Sequence, residues 1–129
     1  MSHTHQILVV APDATLAQTL MEWLRDACDR LVLVDAFASA KAQLNAGPDL
    51  LITEARLGDY NGLHLALRAR AAGIPSIVLG KPDRVSEREA SKLGATYLPL
   101  TRLRAGELLS LVATLVPAMR DGHPALTFI

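Results

Sequence analysis

Five short apolar runs alternate with segments of helical periodicity, and this alternation limits the possible folds more than any other feature of the chain. The runs are nearly continuous and rich in Val, Ile and Leu, which is typical of strands buried on both faces of a parallel sheet. Because parallel strands need crossover connections, the intervening segments are predicted to be helices that cover both faces. The runs occupy residues 7–10, 31–34, 50–52, 74–79 and 97–98.

The helical segments carry residues that typically start or stop a helix. Asp13 is predicted to cap the first helix, and Ser39 to cap a short second helix that ends at Asn45. Gly73 and Gly94 are expected to end the third and fourth helices. Those two helices are predicted over 63–72 and from Pro82–Asp83 to 93, and a last helix over 102–118.

Composition excludes several classes of protein. The 129 residues, half of them hydrophobic, suffice for one domain with its own core. Lys plus Arg and Asp plus Glu each count 13, so the net charge is zero and the chain lacks the overall positive charge that favours nucleic-acid binding. Cys28 is the single cysteine, which excludes an internal disulfide. No apolar run approaches the roughly 20 residues of a membrane helix, and the start lacks a signal-peptide pattern, so a cytoplasmic location is expected.

Four segments, in the right order, resemble the receiver domains of bacterial response regulators. PDLLITEARLGDYNGLHLALR at 48–68 is similar to the family's central segment, PDLVLLDxxLPxxDGLELxR. ILVVAPD at 7–13 resembles ILVVDDD, IPSIVLG at 74–80 resembles IPVIVLT, and GATYLPL at 94–100 resembles GAxxYLxKP. The resemblance implies a doubly wound, flavodoxin-like (βα)5 fold with a five-stranded parallel sheet in the order 2-1-3-4-5. It covers residues 1–118 as one domain and leaves 119–129 as a C-terminal tail.

The resemblance also places the family's chemical positions, most of which are substituted. Its acidic pair, which binds Mg²⁺, aligns with Ala11 and Pro12, and Asp13 follows one position later. Its phosphoacceptor Asp aligns with Glu54. Its switch hydroxyl aligns with Gly80 and its Lys with Leu100, while Tyr97 occupies the position of its aromatic switch. We therefore predict a pseudo-receiver, non-enzymatic and without a metal or cofactor, that takes part in two-component signalling through protein contacts.

Several alternatives stay open from the residues alone. Glu54 could mimic a phosphorylated Asp, stay solvated and silent, or form an ion pair with Lys81 or Arg56. Asp13 is either a helix cap or a weak metal candidate. A working phosphoacceptor would need Glu54, Asp13 or Asp59 to share Mg²⁺. An emptied pocket near Ala11, Gly80 and Leu100 could instead hold a small apolar ligand. Separately, Lys81 or Arg102 could supply the amine that is missing at the position of the family's Lys.

Two further expectations concern the last third of the chain. Tyr97 is predicted to point inward and fill the space that Gly80 leaves. The last helix is apolar over a wider arc than a surface helix needs. This favours either a protein partner or homodimer that binds at this helix and the fifth strand, or a cover formed by the apolar residues 124–129. Neither direct nucleic-acid binding nor membrane insertion is expected.

Overall fold

The computed structural model describes residues 4–121, and each predicted apolar run becomes a strand of one parallel sheet. Two short strands between the third and fourth runs pair separately as an antiparallel ribbon. No helix in the described part is long and apolar enough to cross a membrane. The strands are β1 (Gln6–Val10), β2 (Arg30–Val34), β3 (Leu50–Glu54), β4 (Arg56–Leu57), β5 (Tyr60–Asn61), β6 (Ser76–Gly80) and β7 (Thr96–Pro99).

The strand order of the large sheet is β2-β1-β3-β6-β7. With the ribbon strands β4 and β5 set aside, this is the predicted order 2-1-3-4-5, so the prediction of a doubly wound, flavodoxin-like sheet is confirmed. All four strand pairs of the sheet are parallel. Four helices connect the strands: α1 (Ala14–Leu24), α2 (Phe37–Leu44), α3 (Gly62–Ala71) and α4 (Arg84–Lys92). Two more follow the last strand: α5 (Ala105–Leu115) and α6 (Pro117–Asp121).

The two faces of the sheet build separate apolar layers, which explains the continuous apolar runs. On β1, Ile7 and Val9 face a cluster that includes residues of α1 and α5, whereas Leu8 and Val10 face a cluster that includes residues of α2 and α3. Successive side chains of a strand point to opposite faces, so a strand covered on both sides must be apolar throughout. Met119 of α6 is buried in the first cluster, so the core includes a residue beyond position 118.

Three sequence predictions about helix ends need correction. Ser39 lies inside α2, and the residue before this helix, Ala36, makes no side-chain cap. The last helix begins at Ala105 and not at Arg102, because 100–102 forms a 3₁₀ turn. It is also interrupted before Pro117, since a proline disfavours the helical conformation at the preceding residue, here Val116 at φ −132°.

The last helix exposes less apolar surface than its sequence suggested. Leu108 and Val112 are buried, and Leu103, Leu111, Leu115 and Val116 pack partly against the same cluster. Leu109 is the large apolar side chain of α5 that stays exposed, at 37% of its surface. Most side chains of the wide apolar arc are therefore packed into the hydrophobic core.

Candidate functional site

The carboxyl ends of β3, β6 and β7 open into one cavity of about 610 Å³. This edge of a parallel sheet is where doubly wound proteins place their sites. Glu54 ends β3, Gly80 ends β6, and Tyr97 and Leu100 belong to β7 and the turn after it. All four residues line the cavity, so the fold brings together most of the positions singled out in the sequence.

Glu54 is held by the start of α1. One of its carboxylate oxygens, Oε2, accepts a hydrogen bond of 3.0 Å from the backbone N–H of Asp13. Partial burial raises the pKa of Glu54, and the charge of Asp13 adds to this rise, although the hydrogen bond from Asp13 lowers the pKa in part. Within residues 4–121 no ion pair joins Glu54 to Lys81 or Arg56, so the structure does not support this alternative for Glu54.

Asp13 is the predicted helix cap. Its own carboxylate oxygen Oδ1 accepts a hydrogen bond of 3.0 Å from the backbone N–H of Leu16, and its backbone is extended. This bond satisfies one of the free N–H groups at the start of α1. The two positions before it contribute no carboxylate because they are Ala11, which is buried in the core, and Pro12, which is exposed.

The side chains at this edge do not fit Mg²⁺, which working receivers use. Magnesium prefers oxygen ligands, above all carboxylates, in octahedral geometry. The carboxylate of Glu54 is bonded to a backbone N–H, and that of Asp13 caps a helix. Within residues 4–121, no three His, Cys, Asp or Glu side chains come close enough together to hold a metal ion. One oxygen of each carboxylate is thus hydrogen-bonded within the protein, and within the described residues no third such side chain joins them to complete a ligand set.

Tyr97 takes the space that a side chain at position 80 would need. A Cβ built on Gly80 would overlap the Tyr97 hydroxyl and lie 2.9 Å from the Ala55 Cβ. The Tyr97 hydroxyl donates a hydrogen bond of 2.6 Å to the backbone oxygen of Lys81. Its ring packs against a cluster that includes Val78, so the side chain points inward, in the predicted direction.

The polar environment of Tyr97 is set by burial and by α4. Partial burial raises the pKa of the Tyr97 hydroxyl, and the negative charges of Asp83 and Glu87 raise it further. The hydroxyl is therefore a neutral donor at ordinary pH, as its bond to Lys81 requires. Asp83 itself is occupied as the cap of α4, where it accepts hydrogen bonds from Val85 N–H and the Ser86 hydroxyl.

The position of the family's Lys offers no amine. Leu100 opens the 3₁₀ turn after β7 and is 39% exposed. Of the two neighbours considered as substitutes, Lys81 lines the cavity and Arg102 is not among its lining residues. The three residues expected to surround an emptied pocket do not all line the cavity. Ala11 is buried in the core, and the Tyr97 side chain occupies the space above Gly80.

The sequence analysis did not predict the ribbon of β4 and β5. Gly58, at φ 63°, and Asp59 connect its two strands. A Gly-Asp pair between two short runs is a known hairpin signal. The Tyr60 ring stacks on Phe37 of α2 at 4.8 Å between centroids. Gly62 then passes so close to the backbone oxygen of Glu54 that a Cβ there would overlap it.

Comparison with solved structures identifies this fold as that of response regulator receiver domains. A two-component response regulator from Clostridium difficile matches with a TM-score of 0.79 and 22% identity over 89% of this chain and 98% of that chain. A response regulator receiver protein from Sinorhizobium medicae WSM419 matches with a TM-score of 0.79 and 20% identity over 91% of this chain and 98% of that one.

The likeness extends to a chemotaxis protein. CheY4 of Vibrio cholerae matches with a TM-score of 0.74 and 17% identity over 88% of this chain and 100% of that one. No model of a known protein family matches the chain, and no curated protein matches it. The resemblance seen in the sequence is thus confirmed at the level of the fold.

Proposed function

We propose that this chain is a pseudo-receiver: a non-enzymatic, cytoplasmic signalling domain of a bacterial two-component system that acts through protein contacts without being phosphorylated. The observation that carries the proposal is the bond between the Glu54 carboxylate and the Asp13 backbone N–H. It engages the side chain at the phosphoacceptor position in the protein's own structure. No second carboxylate comes from Ala11 or Pro12.

The first support comes from the requirements of phosphoryl transfer. The transferred group carries negative charge that a metal ion and positive side chains must neutralise. Within residues 4–121 no three His, Cys, Asp or Glu side chains gather closely enough to hold a metal ion, and Leu100 stands where the family has its Lys. A glutamate also carries one more methylene than aspartate, which displaces the carboxylate in a reaction that depends on in-line geometry.

The second support comes from the groups that would respond to a phosphoryl group. Gly80 has no hydroxyl to move toward it, and Tyr97 already lies inward with its hydroxyl bonded to Lys81. This arrangement is present with an unmodified Glu54. We infer that the domain holds a single signalling conformation. Its signalling output would then be controlled by whether partner proteins bind it and by how abundant they are.

The surface near Tyr97 is the proposed contact face. Val85 at the start of α4 is 65% exposed and Leu100 after β7 is 39% exposed. Large apolar side chains that stay exposed on a folded domain can mark a site for a protein partner. For this part of the proposal, V85S and L100S should weaken association with a partner or with a second copy while the unfolding midpoint stays unchanged.

The test of the central proposal is intact-mass spectrometry after incubation with acetyl phosphate and Mg²⁺. The expected result is no added phosphoryl group on the wild-type chain. The matched positive control is a working receiver domain treated in parallel, which should gain one group that hydroxylamine removes. A hydroxylamine-sensitive gain on the wild-type chain would overturn the proposal, and mapping it would identify the acceptor carboxylate.

A further inference from the structure

An apolar groove lies between α1, α5 and α6, and it shares no lining residue with the cavity around Glu54. Its volume is about 360 Å³, and one carboxylate, Asp26, is among the residues around it. This volume is within the range of pockets that hold small apolar ligands. The apolar residues that line it are Trp23, Ala27, Leu109, Val112, Ala113 and Met119.

The chain itself leads to this groove. Met119 of α6 forms part of the groove, and the described chain ends two residues later, at Asp121. Eight more residues follow in the sequence, and four of the last five are apolar: Ala125, Leu126, Phe128 and Ile129. Eight extended residues reach up to about 26 Å, which exceeds the roughly 10 Å diameter of a helix. The segment is therefore long enough to return across α5 or α1.

We propose that residues 125–129 of the same chain fill this groove and cover Trp23. A short tether gives the segment an effective concentration in the millimolar range, so it competes well against a second copy at micromolar concentration. Burial of Leu126, Phe128 and Ile129 against the groove removes apolar surface from water on both sides. The contact would hold α1, α5 and α6 together, and it does not depend on whether Glu54 is phosphorylated.

Trp23 provides the test, because it is the single tryptophan of the chain and lines the groove. The variant L126S/F128S/I129S keeps the length of the chain and removes the apolar side chains. We expect its tryptophan emission to shift to longer wavelength and its acrylamide quenching constant to rise relative to wild type. The matched control T127S should match wild type in both measurements.

Two further measurements separate the possible occupants. The peptide HPALTFI, added to the triple-serine variant, should restore the shorter emission wavelength and the lower quenching. Dilution of the wild-type chain, followed by sedimentation velocity, should leave the emission unchanged and show a monomer. Equal emission and quenching in wild type and triple-serine variant would overturn the proposal. So would protection of Trp23 that is lost on dilution, because the occupant would then be a second copy.

Discussion

The Tyr97 hydroxyl and the backbone oxygen of Lys81 form a hydrogen bond of 2.6 Å that closes one end of the cavity over Gly80. The bond is possible because position 80 carries no side chain. In the receiver family this position supplies a hydroxyl, and the aromatic side chain moves in response to it. Here position 80 has lost its hydroxyl, and the Tyr97 side chain lies inward in the space that this loss leaves free.

A side chain at position 80 should be destabilising. G80A places a Cβ against the Tyr97 hydroxyl and the Ala55 Cβ, and overpacking of this kind typically costs about 1–3 kcal/mol. Urea unfolding measures the loss. The control is G106A near the start of α5, where a Cβ meets nothing within 4 Å, so alanine there should not destabilise the protein.

The G80A loss should also depend on Tyr97. In a Y97L background the hydroxyl and the end of the ring are removed, so adding G80A should destabilise the protein less than it does in the wild type. Equal losses in the two backgrounds would show that Tyr97 does not occupy the space above Gly80.

Removal of the Tyr97 hydroxyl tests the bond to Lys81 separately. Y97F keeps the ring and its packing but loses the donor, so the free energy of unfolding should fall by about 1 kcal/mol. The matched control is Y60F in the ribbon, where the exposed ring keeps its stacking on Phe37. If Y97F is as stable as the wild type, the bond to Lys81 contributes nothing to the fixed position of the ring.

The raised pKa of Glu54 predicts a pH-dependent stability. A carboxyl group with a folded-state pKa above its ordinary value of 4.5 binds its proton more tightly in the folded state. The free energy of unfolding should therefore fall as the pH rises from about 4.5 through the raised pKa. E54Q, whose amide oxygen can still accept the Asp13 N–H, should lack this loss, so the variant should gain stability relative to wild type toward neutral pH.

Chemical unfolding at several pH values checks this difference. E22Q, on the exposed part of α1, controls for the loss of one negative charge. A constant difference between wild type and E54Q from acid to neutral pH would contradict the raised pKa.

The role of Asp13 is tested by a pair of substitutions. D13A removes the acceptor for the Leu16 N–H and should lower the free energy of unfolding by about 1 kcal/mol, the usual loss for an N-cap. D13N keeps an acceptor oxygen and should lose far less. Mg²⁺ should change the unfolding midpoint of neither variant nor of the wild type. A Mg²⁺-dependent midpoint that disappears in D13N would instead identify Asp13 as a ligand.

The features predicted from sequence are those set by local chemistry or by periodicity. The apolar run 7–10 predicted a strand buried on both faces. Asp13 predicted a helix start because its side chain can cap a helix, and Gly94 predicted a helix end because glycine readily adopts a positive φ, here 74°. The motifs placed Glu54, Gly80, Tyr97 and Leu100 at one edge of the sheet, and the structure brings them to one cavity.

What could not be predicted depends on contacts between distant parts of the backbone. The bond from Asp13 to Glu54 spans 41 residues, and the bond from Tyr97 ends on a backbone oxygen that no side-chain pattern reveals. Ser39 looked like a cap, but the helix starts two residues earlier, at Phe37, whose ring stacks on Tyr60. In that case tertiary packing outweighed the local preference of a serine.

The most direct measurement of the central claim is a two-dimensional amide NMR titration of the wild-type chain with Mg²⁺ and beryllofluoride, a mimic of the phosphoryl group. We expect the amide signals of Asp13, Glu54, Lys81 and Tyr97 to stay in place at all concentrations. The reason is that Ala11 and Pro12 replace the family's carboxylate pair, and that Gly80 and Leu100 replace its hydroxyl and its amine. Saturable shifts of these signals that require Mg²⁺ would contradict the account and show a receiver pocket that still binds a phosphoryl group.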